Sequence, residues 1–272
     1  FGPPPDATDE DLRLLQPVGD YYRDKTLFDM RVKEAREKGT LTQAGKDYMR
    51  YMYDGEVRYT DEHVGRLLAF VRARHPDAVI ALTSDHGEEL WEHGSIGHGK
   101  TVFQESIHVP LLLKAPGVVP RTVSTNVETI DILPTLAALL GLPSRDGWQG
   151  RDLIPIAQGA ALERPVFAES RGSLREFGLY IESVTVGSRK SISKHKPIES
   201  APALYDLDSD PLEQRDLATT HAAEVARLSQ LLADYRKANE AHPAHAIGPV
   251  RYGLDVATRE ALKALGYLGD DD

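Results

Sequence analysis

Cysteine is absent from this 272-residue chain. That excludes a disulfide framework, thiolate metal sites and a cysteine nucleophile within these residues. No apolar run approaches the roughly 20 residues of a membrane span, so no bilayer crossing is expected. The chain starts at Phe1, and no basic-then-apolar leader follows, so no targeting segment is visible. Positive charge is in deficit. Lys+Arg number 32 against 42 Asp+Glu, a net charge of -10, which argues against nucleic acid as the main partner. What remains is ordinary globular composition, 41% hydrophobic and 27% charged. That is enough for a sizeable core in one large domain, or in a domain with a small appendage.

Pro3-Pro4-Pro5 near the start removes backbone donors and holds the chain extended, so it reads as a loop. A short helix is expected around Lys25 to Lys38. Thr42 to Arg74 reads as the clearest helix. Thr42 is its cap, Val57, Val64, Leu68 and Val71 share one face, and His75-Pro76 is its stop. Gly55 predicts a break in its middle. Ala78 to Thr83 and Val109 to Leu113 are short apolar runs between breakers, and read as buried parallel strands. Asp131 to Leu140 reads as an apolar helix, with Pro134 in its first turn and Gly141 as its stop. Pro165 to Ala168 reads as a further strand. This alternation predicts an α/β fold with a mostly parallel sheet flanked by helices, over residues 1–170.

After Arg171 the pattern changes. Leu179 to Lys194 alternates and breaks at Gly187-Ser188, which predicts a hairpin of half-exposed antiparallel strands. Ala203 to Leu207 adds a strand, and His221 to Asn239 is an amphipathic helix with Val225, Leu228, Leu232 and Tyr235 on one stripe. Residues 171–272 are therefore expected to form a small C-terminal α+β subdomain with an antiparallel sheet.

Chemistry concentrates in Thr83-Ser84-Asp85-His86-Gly87-Glu88-Glu89-Leu90-Trp91-Glu92-His93-Gly94-Ser95-Ile96-Gly97-His98-Gly99-Lys100. Asp85 and His86 follow a predicted strand at its carboxyl end, where open α/β sheets bind ligands. Side by side they offer a hard oxygen and a borderline nitrogen to one divalent cation. The downstream glycines let the loop fold back with His93, His98 and Lys100. A cation with a lysine and a histidine suits a tetrahedral oxyanion such as sulfate or phosphate. Glu88, Glu89 and Glu92 read as the solvated first turn of a helix. His195, His221, His242 and His245 read as exposed.

These residues resemble the sulfatase family of the alkaline phosphatase superfamily. The resemblance is carried by Thr83-Ser84-Asp85-His86-Gly87-Glu88, Glu92-His93-Gly94, Gly97-His98-Gly99-Lys100-Thr101, Val109-Pro110-Leu111-Leu112 and Asp131-Ile132-Leu133-Pro134-Thr135-Leu136. Leu204-Tyr205-Asp206-Leu207, Asp210-Pro211-Leu212-Glu213 and Leu265-Gly266-Tyr267-Leu268 resemble the closing motifs of bacterial sulfatases. The resemblance implies one divalent cation, with Asp85 and His86 as half of its ligands. Calcium is the ion it brings; the Asp-His pair also tolerates magnesium, manganese or zinc. It implies a loop lysine on the sulfate, matched by Lys100 or by His98, both catalytic candidates. It also implies a formylglycine nucleophile made from a Cys/Ser-x-Pro-x-Arg motif.

That motif does not occur in the chain, and neither do the paired aspartates of the family's N-terminal half. The chain is therefore expected to be the C-terminal portion of a larger catalytic unit, inactive by itself, with a sheet face and edge left open. Its expected partners are the other half of that unit and a sulfated small molecule or glycan, with self-association a further expectation. The resemblance implies a periplasmic or extracellular location. Two alternatives stand beside the sulfate-ester hydrolase. One is a phosphodiesterase, phosphonate monoester hydrolase or phosphotransferase of the same superfamily, and the other is a non-catalytic binding or assembly domain.

Overall fold

The computed structural model describes residue 34 and residues 38–161, 163–171, 179–196 and 199–242. The proline-rich start, the Leu265–Leu268 motif, His245 and most of the expected 25–38 helix lie outside these residues. The chain divides into one compact unit of residues 68–247 and a second of residues 1–67 with 248–272.

Helix α1 spans Gln43–Arg74. Thr42 caps it, its hydroxyl oxygen accepting the Gly45 N–H at 3.1 Å, which satisfies one of the orphan donors of the first turn. It ends before Pro76, as expected. The break expected at Gly55 is absent, and the helix runs straight through. Nothing lies within 4 Å of a Cβ built at Gly55, so the glycine costs only its usual ~1 kcal/mol of helix propensity, which 32 helical residues absorb.

Strand β1 is Ile80–Thr83 and strand β4 is Leu111–Lys114. Between them lie the short strands β2 (Glu89–Leu90) and β3 (Ile96–Gly97) and the single-turn helix α2 (Gln104–Ile107). The parallel pairing expected for β1 and β4 is not what forms. They pair antiparallel, Ile80 opposite Lys114 and Thr83 opposite Leu111. The segment between them holds a β2–β3 hairpin and one helical turn rather than a crossover helix, so the chain returns antiparallel. Nor are both faces covered: β1 alternates half-buried and exposed residues, and Leu112 is 60% exposed. Among the described residues each of these strands has one partner. Among the described residues this pair therefore leaves an edge and a face open.

A 3₁₀ turn, Thr129–Asp131, leads into helix α3, Ile132–Leu139. Asp131 is fully buried. It accepts the Glu128 and Arg151 N–H groups at 2.9 and 2.8 Å and pairs with Arg164. Gly141 ends α3 at φ 66°, and the Leu142 N–H reaches back to Ala137 O at 2.8 Å, a glycine-stopped helix end.

After the short helix α4 (Ile154–Ala157) comes a four-stranded antiparallel sheet in the order β5-β6-β7-β8. Its strands are Val166–Ser170, Tyr180–Val186, Arg189–Lys196 and Ala203–Asp206. The β6–β7 hairpin turns at Gly187-Ser188, as read from the sequence. It is more buried than expected, because β5 and β8 flank it on either side and helix α5 (Ala222–Glu240) packs against it. Val184, Leu204, Leu228 and Leu232 are buried together, with Phe167 and Val225 against them. Phe167 stacks on Tyr235 at 4.1 Å. The stripe read on the last helix is thus the core-facing stripe. His195, expected to be exposed, instead meets the buried Glu182 carboxylate at 2.9 Å through Nε2. Alternation along β7 puts it on the same face as Ser193, which lies opposite Glu182.

Candidate functional site

Asp85 and His86 leave the carboxyl end of β1. The turn is held locally: the Ser84 hydroxyl donates to His86 O at 2.6 Å, and the His86 N–H donates to Asp85 Oδ1 at 3.0 Å. Gly87 follows, its N–H on Ser106 O at 2.8 Å. A Cβ at Gly87 would sit 1.9 Å from Glu105 O. Residue 87 must therefore lack a side chain for the turn to lie against α2. A Gly87→Ala variant is expected to lose about 1–3 kcal/mol through this overpacking, read as a lowered melting temperature.

Asp85 keeps its carboxylate open, with 76% of the side chain exposed, and its Oδ2 lies 3.6 Å from His86 Nε2. Desolvation pushes the Asp85 carboxyl up, but the His86 ring, the backbone N–H groups and the Ser84 hydroxyl together outweigh it and hold the group below its ordinary range. His86 Nδ1 meets Gly87 O at 2.8 Å. A carbonyl only accepts, so Nδ1 carries the proton and Nε2 the lone pair. Two donor atoms each about 2.0–2.5 Å from one ion lie roughly 3–4 Å apart. Asp85 and His86 therefore fit a shared divalent cation, and the Nδ1 bond is the outer-shell contact that orients a ligating imidazole.

The loop beyond folds back, with Gly97 and Gly99 at φ 93° and 76°, conformations that glycine supplies at little cost. This brings His98 onto His86, the rings stacked with centroids 3.9 Å apart. His98 Nδ1 lies 2.9 Å from Glu88 Oε2. One donor atom each from His86, Glu88 and His98 lies within 4.8 Å of the others. Lys100 reaches Ile96 O at 3.4 Å, and among the described residues no carboxylate forms an ion pair with it. The structure thus brings Asp85, His86 and His98 together. For Lys100 it records this one long backbone contact.

The glutamates are not a solvated helical turn. Glu89 opens strand β2 and is fully buried, accepting from the Thr101 hydroxyl at 3.0 Å and the Ser106 hydroxyl at 3.4 Å. Burial pushes its carboxyl up, the three hydroxyls of Thr101, Ser95 and Ser106 pull it down, and nearby Glu105 adds to the rise. Glu92 accepts the Leu90 N–H at 2.6 Å. His93 stacks on Phe103 at 3.5 Å, with Nδ1 on Glu105 Oε1 at 2.6 Å and Nε2 on Glu213 O at 3.1 Å.

Sequence reasoning missed the support under the loop. Glu213 and Lys190, both fully buried, form an ion pair at 2.6 Å. Lys190 also donates to Val102 O at 2.7 Å, and Glu213 Oε2 accepts the Gln104 N–H at 2.6 Å. The strand β7 lysine and the Asp210–Glu213 turn thereby hold the return segment of the loop. Glu213 lies in a quoted closing motif, which was the one available signal.

The fold is shared with solved structures. A phosphonate monoester hydrolase from Silicibacter pomeroyi superposes with a TM-score of 0.63 at 27% identity, over 74% of this chain and 43% of that one. A protein solved with its substrate D-glucosamine-2-N,6-O-disulfate gives a TM-score of 0.63 at 24% identity, over 78% of this chain and 46% of that one. The architecture is therefore that of the alkaline phosphatase superfamily. The sulfatase family model matches residues 19–142. Choline-sulfatase of Rhizobium meliloti is 30% identical over 207 residues, 74% of this chain and 39% of that protein. Arylsulfatase K of Danio rerio is 29% identical over 203 residues, 71% of this chain and 38% of that protein. The chain is thus similar to the sulfatase family over residues 19–142, and it spans about two fifths of the length of these curated relatives.

Proposed function

We propose that these residues are part of a hydrolytic site for sulfate esters, on a sulfated small molecule or glycan. The observation that carries the reading is the Asp85–His86 pair at the end of β1, its donor atoms 3.6 Å apart, with Lys100 on the loop that folds back beside it. Asp85 and His86 would hold a divalent cation, which when bound draws charge from the sulfate oxygens as the ester breaks. Lys100 would meet the anionic oxygens with its ammonium, and His98, whose ring stacks on His86, would give a proton to the departing alcohol. No Cys/Ser-x-Pro-x-Arg occurs in these 272 residues, so a formylglycine nucleophile would come from outside them, and the chain alone would be inactive. Among the described residues no helix is long and apolar enough to cross a membrane, which is compatible with a periplasmic or extracellular site.

A second reading, cleavage of phosphonate or phosphate esters, is favoured by the likeness to the phosphonate monoester hydrolase. Full-length protein assayed on paired aryl sulfate and aryl phosphonate or phosphodiester substrates separates the two. The first reading expects kcat/KM to be at least about 10²-fold higher on the sulfate, some 2.7 kcal/mol of differential transition-state binding. A ratio inverted by that amount establishes the second.

A further inference from the structure

We propose that Ser170 is a positioning residue for Lys100. Its hydroxyl fixes the peptide that leads into the lysine, so that the C-terminal antiparallel sheet sets where the ammonium of the loop stands. This rests on the reading of Lys100 as the cation that meets the anionic oxygens, and adds what holds it there.

The loop has little of its own to hold it at this point. Gly97 and Gly99 lie at φ 93° and 76°, and nothing stands within 4 Å of a Cβ built at Gly99. Glycine leaves the backbone freer than any other residue, so the fixing has to come from bonds to the peptide itself. The Gly99 carbonyl accepts the Ser170 hydroxyl at 2.8 Å. Gly99 O and the Lys100 N–H belong to one rigid peptide plane, so a bond to that oxygen orients the start of Lys100. Beyond the lysine, Val102 O accepts from Lys190 at 2.7 Å. Lys100 is thus bracketed by two anchored carbonyls. Its own Nζ has Ile96 O at 3.4 Å, too long a bond to hold the ammonium in place.

Both anchors project from the same face of the sheet. Phe167 on β5 lies opposite Val184 on β6, and both belong to the core that α5 covers. Successive side chains alternate across a strand, so Ser170, three residues after Phe167, stands on the other face. Ser191 on β7 lies opposite Val184, so its neighbour Lys190 stands on that other face too. One face of the sheet therefore packs on α5, and the opposite face carries the two donors that hold residues 99–102 of the loop. Ser170 is the last residue of β5 and half-buried. Lys190 is enclosed and carries a buried ion pair, so its loss costs folding. Ser170 carries no such burden, which makes it the anchor whose effect on Lys100 can be read separately from stability.

The test is a double-variant cycle in full-length protein, assayed on whichever aryl ester, sulfate or phosphonate, it turns over faster. Ser170→Ala is expected to lower kcat/KM about tenfold, the scale on which a small displacement of a positioned group is felt, with the melting temperature within about 2 °C of the parent. Ser170→Thr keeps the hydroxyl and is expected to stay within about threefold of the parent. Ser170→Val has the same shape without the hydroxyl and is expected to behave as Ser170→Ala. In a Lys100→Ala background, Ser170→Ala is expected to change kcat/KM by less than about twofold, because a residue that acts through Lys100 has nothing left to position. The same tenfold loss in both backgrounds would mean a general structural role and overturns the proposal, as does Ser170→Ala with parental kcat/KM. Lys100→Ala separates the two levels. If it abolishes turnover while Ser170→Ala is harmless, only the role of Ser170 fails. If Lys100→Ala keeps the parental rate, the reading of Lys100 fails, and this inference with it. Should Ser170→Ala not fold, the Thr and Val variants, both good strand formers, carry the comparison, and equal rates in the two overturn the proposal.

Discussion

A Lys190→Met variant is expected to lose about 3–5 kcal/mol of unfolding free energy, the cost of leaving a buried carboxylate without its partner. Lys190 and Glu213 are both fully enclosed and 2.6 Å apart. With the ammonium gone, Glu213 keeps only the Gln104 N–H at 2.6 Å, and Val102 O loses the donor it had at 2.7 Å. The double variant Lys190→Met/Glu213→Gln removes the stranded charge and keeps a carbonyl oxygen for Gln104. It is expected to recover most of the loss, since a buried pair is often nearly neutral against a well-packed uncharged replacement. Denaturant titration of the single and double variants measures both numbers. Equal losses in the two would show that the cost is packing rather than charge.

The same pair has a pH signature. Burial pushes the Lys190 ammonium below its ordinary 10.5, while Glu213 and then Glu105 pull it back up. With the folded value lowered, the unfolded chain holds more protons between that value and 10.5, so this lysine makes stability rise with pH across the window. Lys190→Met is expected to lack that rise.

What could be read in advance divides by how far apart the determining residues lie. Thr42, Pro76 and the Gly187-Ser188 turn act on their own neighbours, so α1 and the β6–β7 hairpin were legible. Asp85 and His86 are adjacent, and the strand before them is short and apolar, so the candidate metal pair was legible too. The direction of β1 against β4 was not, because an apolar run does not carry the direction of its partner. Glu89 looked like one more surface glutamate, because the hydroxyls that accompany its burial are 12 and 17 residues further on, at Thr101 and Ser106. The Lys190 bond to Val102 spans 88 residues. No local pattern marks such a lysine as buried. The loop that bears the candidate chemistry is thus specified locally at Asp85–Gly87, and from a distance where it returns.

Asp85→Ala in full-length protein is expected to lower kcat/KM by about 10²–10³-fold, the size of effect when one preorganised contact to developing charge is removed. The argument runs from the turn outward. The Asp85 carboxylate is placed by the His86 N–H at 3.0 Å, is held ionised below its usual range, and is 76% exposed. Structurally it spends little, since its partners are its own neighbours. Truncation should therefore leave the melting temperature of metal-free protein nearly unchanged, within the ~0.5 kcal/mol of an ordinary surface substitution. The combination expected is lost turnover and lost bound metal with intact folding. A Glu at position 85 restores the charge but lengthens the arm by one methylene, so Asp85→Glu should recover part of the metal affinity and little of the rate if geometry matters as well as charge. Gly87→Ala should produce the opposite pattern, losing stability first. Asp85→Ala protein that turns over, binds metal and melts like the parent would instead favour a chain that serves in binding or assembly.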